Sequence, residues 1–346
     1  MASGMLKVEG SIDLDQFWPP GTSDADTTKI LITVGPSGFQ FRSSPGRRFK
    51  PTSVFDGAVV TGEQGTKPVV DKKGRITVRL QGIDAPELHY RPQSALKDQP
   101  NNPKPGENYR TAAQKKKFLE LNEDYRQPYG ETATVQLKKY LASIGANPLP
   151  CKVVTSIDRP NEAFDVYGRL VGDVVVEPQK ADVNHWLLRN GWALPAFYNS
   201  MAEEEITTLT ALANKARKAK RGIWPQYAAR IGSLEKDLVF RRKGTYVQGS
   251  DIGNVILPKM FRRLCAWTVN FEAGMVRSSF AEYLASKTKD EAMLAREFLE
   301  QGDAAAQEYG FHEFFKKGRL TVRPEELVIK EKPSRLKPAK GRTLAW

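Results

Sequence analysis

Between residues 75 and 80 the chain alternates strictly, with Ile76, Val78 and Leu80 on one side and Arg75, Thr77 and Arg79 on the other. A period of two with one apolar face marks a half-buried strand. The pattern breaks at Gln81-Gly82 and runs into Ile83-Asp84-Ala85-Pro86-Glu87, a proline-stiffened turn that presents two carboxylates. A strand that carries a guanidinium opposite its apolar face and ends in acids requires a sheet with a charged rim. Far downstream, Tyr167-Gly168-Arg169 supplies a second guanidinium in a tight turn, just before the apolar run 170–176.

Other segments are placed around that strand. Residues 1–50 read as an N-terminal β-hairpin extension, with strand candidates at 29–34 and 39–41. Asp24 and Asp26 lie in its turn-rich stretch and read as a capped turn rather than a cation site. Residues 51–227 form the central unit, with strands expected at 52–55, 58–61, 75–80, 151–156 and 170–176. Helices are expected at 132–143, at 183–190 ended by Gly191, and at 202–220. Residues 90–128, rich in proline and lysine, read as an exposed insertion with one short helix within 109–122.

Residues 228–332 have helical spacing at 257–273, 279–286, 290–301 and 304–316, which implies a small, mostly α-helical domain. Residues 333–346 carry Arg335, Lys337, Lys340 and Arg342 without an acid and read as a flexible basic tail. Met260-Phe261-Arg262-Arg263 and Phe311-His312-Glu313-Phe314-Phe315 are candidate surfaces for a protein partner. The competing reading is helix core.

Charge narrows the partner. The 346 residues hold 53 Lys and Arg against 40 Asp and Glu, a formal charge of +13 that attracts polyanions, nucleic acid first among them. Two cysteines and three scattered histidines exclude a disulfide framework and a histidine or zinc centre. No apolar run reaches the ~18 residues needed to span a bilayer. With no basic, apolar leader in view either, a cytoplasmic protein without membrane association is expected.

The chemical sense of two arginines and two carboxylates is phosphodiester chemistry. Fixed guanidinium forks bind phosphoryl oxygens bidentately, a hard cation prefers oxygen ligands, and a free carboxylate accepts a proton from attacking water. Taken in order, Arg79-Leu-Gln-Gly-Ile-Asp84-Ala-Pro-Glu87, Tyr167-Gly168-Arg169-Leu-Val, Val183-Asn184 with Gly191-Trp-Ala193, and Gly222-Ile223-Trp224 resemble the staphylococcal nuclease (thermonuclease) family over about residues 52–224. The resemblance implies an α+β fold, an OB-type five-stranded β-barrel with packed helices. It also implies a calcium-dependent nuclease acting on DNA or RNA with little sequence specificity. By position, Arg79 and Arg169 match the phosphate-binding arginines, Glu87 the general base and Asp84 a calcium ligand. The Ala85 carbonyl matches a further ligand, and Tyr167 a phosphate-contacting tyrosine in a loop shaped by Asp165. Phe197 or Tyr198 falls where the family stacks a ring on a base, with core packing as the equal alternative.

Two departures stand out. The family's first hairpin reads Asp-Gly-Asp, and taken at Asp56-Gly57-Ala58 it lacks its second aspartate. Asp56 is then left to act through water, and the calcium site is weakened. The 90–128 insertion follows Glu87 directly, at the mouth of the expected site. The alternative is therefore a weakened or inactive nucleic-acid-binding scaffold of the same fold. Both readings require Arg79 and Arg169 to face one phosphate, accessible and together.

Overall fold

The computed structural model describes residues 4–33, 38–62, 65–177, 179–242, 251–330 and 334–346. Five strands close a barrel: β1 (Met5–Ile12), β2 (Thr27–Ile32), β3 (Arg75–Leu80), β4 (Leu149–Ser156) and β5 (Leu170–Val176). β1 pairs antiparallel with β4 and β2, β2 with β3, and β4 with β5, and the parallel pair β5–β3 closes the ring. Closure leaves no free barrel edge. Alternating apolar side chains fill it: Leu6, Val8, Ile30, Ile76, Val78, Val153, Leu170 and Val174 are all fully or nearly fully buried.

Strands β1 and β2 therefore belong to the barrel and not to an N-terminal extension that ends at residue 50. β1 was illegible because Glu9-Gly10-Ser11 interrupts its apolar alternation, and its longest partner, β4, is remote in sequence. The expected strand at 29–34 is β2, whose last proposed residue, Val34, lies outside the described residues. The expected strand at 52–55 is instead a run of turns. Val59–Gly62 pairs with Gly65–Pro68 and with Arg335–Lys337, off the barrel.

The described residues form seven α-helices: α1 (Ala112–Leu121), α2 (Gly130–Ile144), α3 (Val183–Arg189), α4 (Glu203–Lys218), α5 (Pro258–Glu272), α6 (Phe280–Ala285) and α7 (Ala295–Gln301). The first four match the helices expected, as do α5 and α6, whereas the helix expected at 290–301 forms only as α7, its first part being the strand Glu291–Leu294. α4 has Glu203, Glu204 and Glu205 in its first turn and Lys215, Arg217 and Lys218 in its last, complementing the helix dipole.

The C-terminal region mixes α5–α7 with strands. Phe197–Tyr198, from the barrel unit, pairs parallel with Leu327–Ile329, which pairs antiparallel with Glu291–Leu294. One hydrophobic core then runs from the barrel through α5 to Phe298 and Val328. The expected helix over 304–316 does not form. Tyr309–Gly310 is a short strand and Phe311–Phe314 a single 3-10 turn, which buries Phe311 and Phe314 without a long helix. Apolar spacing alone does not separate those two solutions.

The insertion is exposed over 97–108, as expected, but its two ends clasp the body. Phe118 and Tyr125 are buried, and Asn270 of α5 accepts from the Ala95 amide at 2.6 Å and donates to the Gln93 carbonyl at 2.9 Å. Gln114 of α1 donates to the Gly274 carbonyl at 2.6 Å. Nor is the C-terminal tail a loose chain. Its first residue, Pro333, lies outside the described residues, but Leu336 is buried and the Trp346 ring stacks on Phe41 at 3.8 Å. The basic composition was read correctly, but the aromatic anchor at its end outweighs it.

Candidate functional site

The site is assembled at one rim of the barrel by strand register. β3 lies between β2 and β5, so Arg79 has Thr27 as its partner on one side and Val171 on the other. Asp26 immediately precedes β2, and Asp84 follows the turn at Gly82, whose φ of +72° favours glycine. Arg169 sits at the end of the Tyr167-Gly168 turn, where Gly168 adopts φ +79°. Elements remote in sequence thus meet at one place.

Arg79 is the hub. Its guanidinium pairs with Asp26 through Nη1 and donates from Nη2 to Asp84 Oδ1 at 2.7 Å and to the Ile83 carbonyl at 2.9 Å. Asp26 is fully committed, since its other oxygen accepts from the Ala85 amide at 2.6 Å. Burial opposes the charge of Asp26, but the adjacent Arg79 guanidinium holds its carboxyl below the ordinary range. Arg79 itself is 6% exposed. The expectation of an open phosphate fork at Arg79 is therefore not met: Nη1 and Nη2 are held by Asp26, Asp84 and the Ile83 carbonyl, and Arg79 positions the two carboxylates.

Arg169 is held differently. Nε donates to Asp165 Oδ2 at 2.7 Å and Nη1 to the Thr27 hydroxyl at 3.1 Å, while its side chain stays 26% exposed. Asp165 Oδ1 accepts from the Tyr167 and Arg169 amides, both at 2.9 Å, so it shapes this loop as expected. The Tyr167 ring lies 5.3 Å from the Arg169 guanidinium and is 40% exposed, which puts both at the mouth.

Glu87 is nearly buried, and Arg262 of α5 donates to its Oε2 at 2.9 Å. Burial pushes the Glu87 carboxyl up; Arg262 opposes that shift, and Asp84 and Asp26 add to it. Arg262 also reaches Asp84 Oδ2 at 3.5 Å. Asp24 completes the cluster. Burial, with Glu87 and Asp26 nearby, pushes its carboxyl well above the carboxylate range, and its Oδ1 is buried without a hydrogen-bond partner.

Several expectations change here. Asp56 is exposed and pairs with Arg342 at 3.3 Å, away from Arg79. Ala58 is buried in the hairpin core, so no ligand is missing there. The Asp-x-Asp turn beside Arg79 is Asp24-Ala25-Asp26. Its signal was present in the sequence, two aspartates directly before the alternating strand β2, but a capped turn has the same appearance. Phe197 is fully buried between the barrel and Leu327–Ile329 and offers no face to a base. Tyr198 is half-buried and close enough to bear electrostatically on Arg79 and Arg262. Met260, Phe261, Phe311 and Phe314 are core, not partner surface. Arg262 was missed as a site residue because nothing local in its helix marks it.

Residues 77–226 match the family of staphylococcal nuclease homologues. The chain carries a domain of that family. No curated protein matches the chain. Domains of this kind act on or bind nucleic acids, and the five-stranded barrel with packed helices is their fold. Asp24, Asp26 and Arg262 all lie outside the matched residues.

The family is generally calcium-dependent, and a cation here would have to be held by Asp24, Asp26, Asp84 and Glu87. They do not fit one as arranged. Both oxygens of Asp26 and both of Asp84 are engaged, and Arg262 holds Glu87. Asp24 retains a free oxygen, but its raised pKa favours the neutral form, a poor ligand. Among the described residues, no group of three or more His, Cys, Asp or Glu side chains is disposed to hold a metal. The two cysteines are buried free thiols. No helix among the described residues is long and apolar enough to cross a membrane.

Proposed function

We propose that the chain is a phosphodiesterase acting on the backbone of DNA or RNA, with Glu87 as general base and Arg169 as the phosphate-binding arginine. Tyr167 flanks the phosphate at the mouth, and Arg79 acts one layer further in, orienting Asp26 and Asp84. The observation that carries this reading is the convergence of Arg79, Asp84, Glu87 and Arg169 on one barrel rim, with Arg169 and Tyr167 still reaching solvent. Water attacking phosphorus gives a proton to Glu87, whose raised pKa brings it nearer to neutrality, where a general base works best. Arg169 meets the charge that grows on the phosphoryl oxygens as the bond to the leaving oxygen breaks. Because the recognised group is the backbone and Phe197 is sealed, sequence specificity is low.

A second reading is favoured by the pairing of Glu87 with Arg262 and by the burial of Arg79: a scaffold that binds nucleic acid without cutting it. The two separate in one assay, incubation of single-stranded DNA and RNA with the protein and with Glu87→Gln. The enzyme reading expects Glu87→Gln to lower cleavage about 100-fold or more while binding persists. Binding without cleavage by the unaltered protein establishes the scaffold. If it neither binds nor cleaves, both readings fail.

A further inference from the structure

Arg262 belongs to α5, yet it enters the barrel's carboxylate cluster. Its two terminal nitrogens divide between two acids, Nη1 to Glu87 Oε2 at 2.9 Å and Nη2 to Asp84 Oδ2 at 3.5 Å. Asp84 is thereby held from both sides, by Arg79 on Oδ1 and by Arg262 on Oδ2. The carboxylates of Asp24, Asp26, Asp84 and Glu87 gather around Arg79 and Arg262, while Arg169 beside them is paired with Asp165.

The position is permanent rather than a passing contact. α5 buries Met260, Phe261, Leu264, Cys265 and Val269 in the core shared with the barrel. Burial of apolar side chains is the dominant favourable term in folding, so lifting a helix that buries five of them would cost a large share of the domain's stability. The next residue, Arg263, turns the other way and locks the helix by two hydrogen bonds to Asp290, at 2.7 and 2.8 Å, beside Lys259 at 3.1 Å. The 90–128 clasp holds the far end through Asn270. α5 is therefore not a lid, and Arg262 is present whenever the chain is folded.

We infer that Arg262 is the resident cation of this site: its guanidinium fork occupies the place between Asp84 and Glu87 that a divalent ion would need. Positive charge at the rim then comes from the chain itself, and a third of the Arg262 side-chain surface stays exposed. An arginine suits this place because a planar fork spans two carboxylates, whereas lysine is a single point charge.

The test is cation binding by the full chain, followed by terbium luminescence and by calorimetry with calcium, with folding monitored by circular dichroism. Removing the fork in Arg262→Gln is expected to tighten binding at least tenfold. Arg263→Gln, which removes the same charge from the same helix, is expected to behave as the unaltered protein. Equal affinity in folded Arg262→Gln and unaltered protein overturns the inference, as does an equal gain in Arg263→Gln. The unaltered protein is an independent arm that needs no variant. Saturable calcium binding tighter than about 1 mM, the weak end of protein calcium sites, overturns the inference, and its absence supports it. Neither arm reads cleavage, so this inference and the functional reading fail separately.

Discussion

Two turns of nearly the same composition lead to opposite ends. Asp24-Ala25-Asp26 precedes β2, and Asp56-Gly57-Ala58 precedes the strand Val59–Gly62. Each offers an aspartate just before a β-strand. The first is buried at the barrel rim, where Asp26 pairs with Arg79 and accepts from the Ala85 amide. The second is a surface turn whose Asp56 meets Arg342 of the C-terminal segment, with both side chains about half exposed. What separates them is partnership: β2 is inside the barrel ring, whereas Val59–Gly62 pairs outside it. An aspartate acquires chemistry from the register of the strand it introduces, and local sequence does not carry that information.

The largest effect expected from this contrast is on stability. Asp26→Ala leaves Arg79 as a buried, half-compensated charge, and losing one partner of a buried pair costs about 3–5 kcal/mol. Asp56→Ala breaks an exposed pair worth less than about 1 kcal/mol. Urea denaturation of the two variants measures both, and similar losses would break the comparison.

A smaller effect sharpens it within the first turn. Asp24 and Asp26 are two residues apart, yet burial and its acidic neighbours raise the Asp24 carboxyl, while Arg79 overcomes burial to lower that of Asp26. For Asp24 the raised folded pKa means that stability is full below the unfolded carboxylate pKa and is lost as pH rises through the folded value. Asp24→Asn removes that loss, so its stability relative to the unaltered protein should increase with pH above the ordinary carboxylate range. For Asp26 the sign reverses: its contribution is present above the unfolded pKa and disappears as pH falls through the lowered folded value. Thermal denaturation across pH checks both slopes.

How much of this was legible in the sequence follows the same division. Strands β3, β4 and β5 and the Tyr167-Gly168-Arg169 turn were readable because alternation and turn residues are local signals. Asp84, Glu87 and Arg169 were named from short local strings, and these strings lie at one rim, with Asp165 shaping the Arg169 turn. Asp26 was passed over because an Asp-x-Asp cap and an Asp-x-Asp site look alike until Thr27 is seen to pair with Arg79. Arg262 gave no sign at all. Its neighbour Arg263 is the same residue on the same helix, and only tertiary packing sends one to Glu87 and the other to Asp290. The aromatic pair at 197–198 read ambiguously because the strand formed with Leu327–Ile329, which seals Phe197, is made by a region remote in sequence.

The central claim is that a phosphodiester backbone is gripped beside the first turn and not beside the second. Arg169 and Arg342 are the arginines of the two places, and each is within reach of solvent. The affinity of a short single-stranded oligonucleotide for Arg169→Ala and for Arg342→Ala, at one fixed salt concentration, compares them directly. Arg169→Ala should weaken binding by about 10–100-fold, the loss of a charge-assisted contact, and Arg342→Ala by only the few-fold change that a surface charge gives. Equal losses in the two variants would contradict the account.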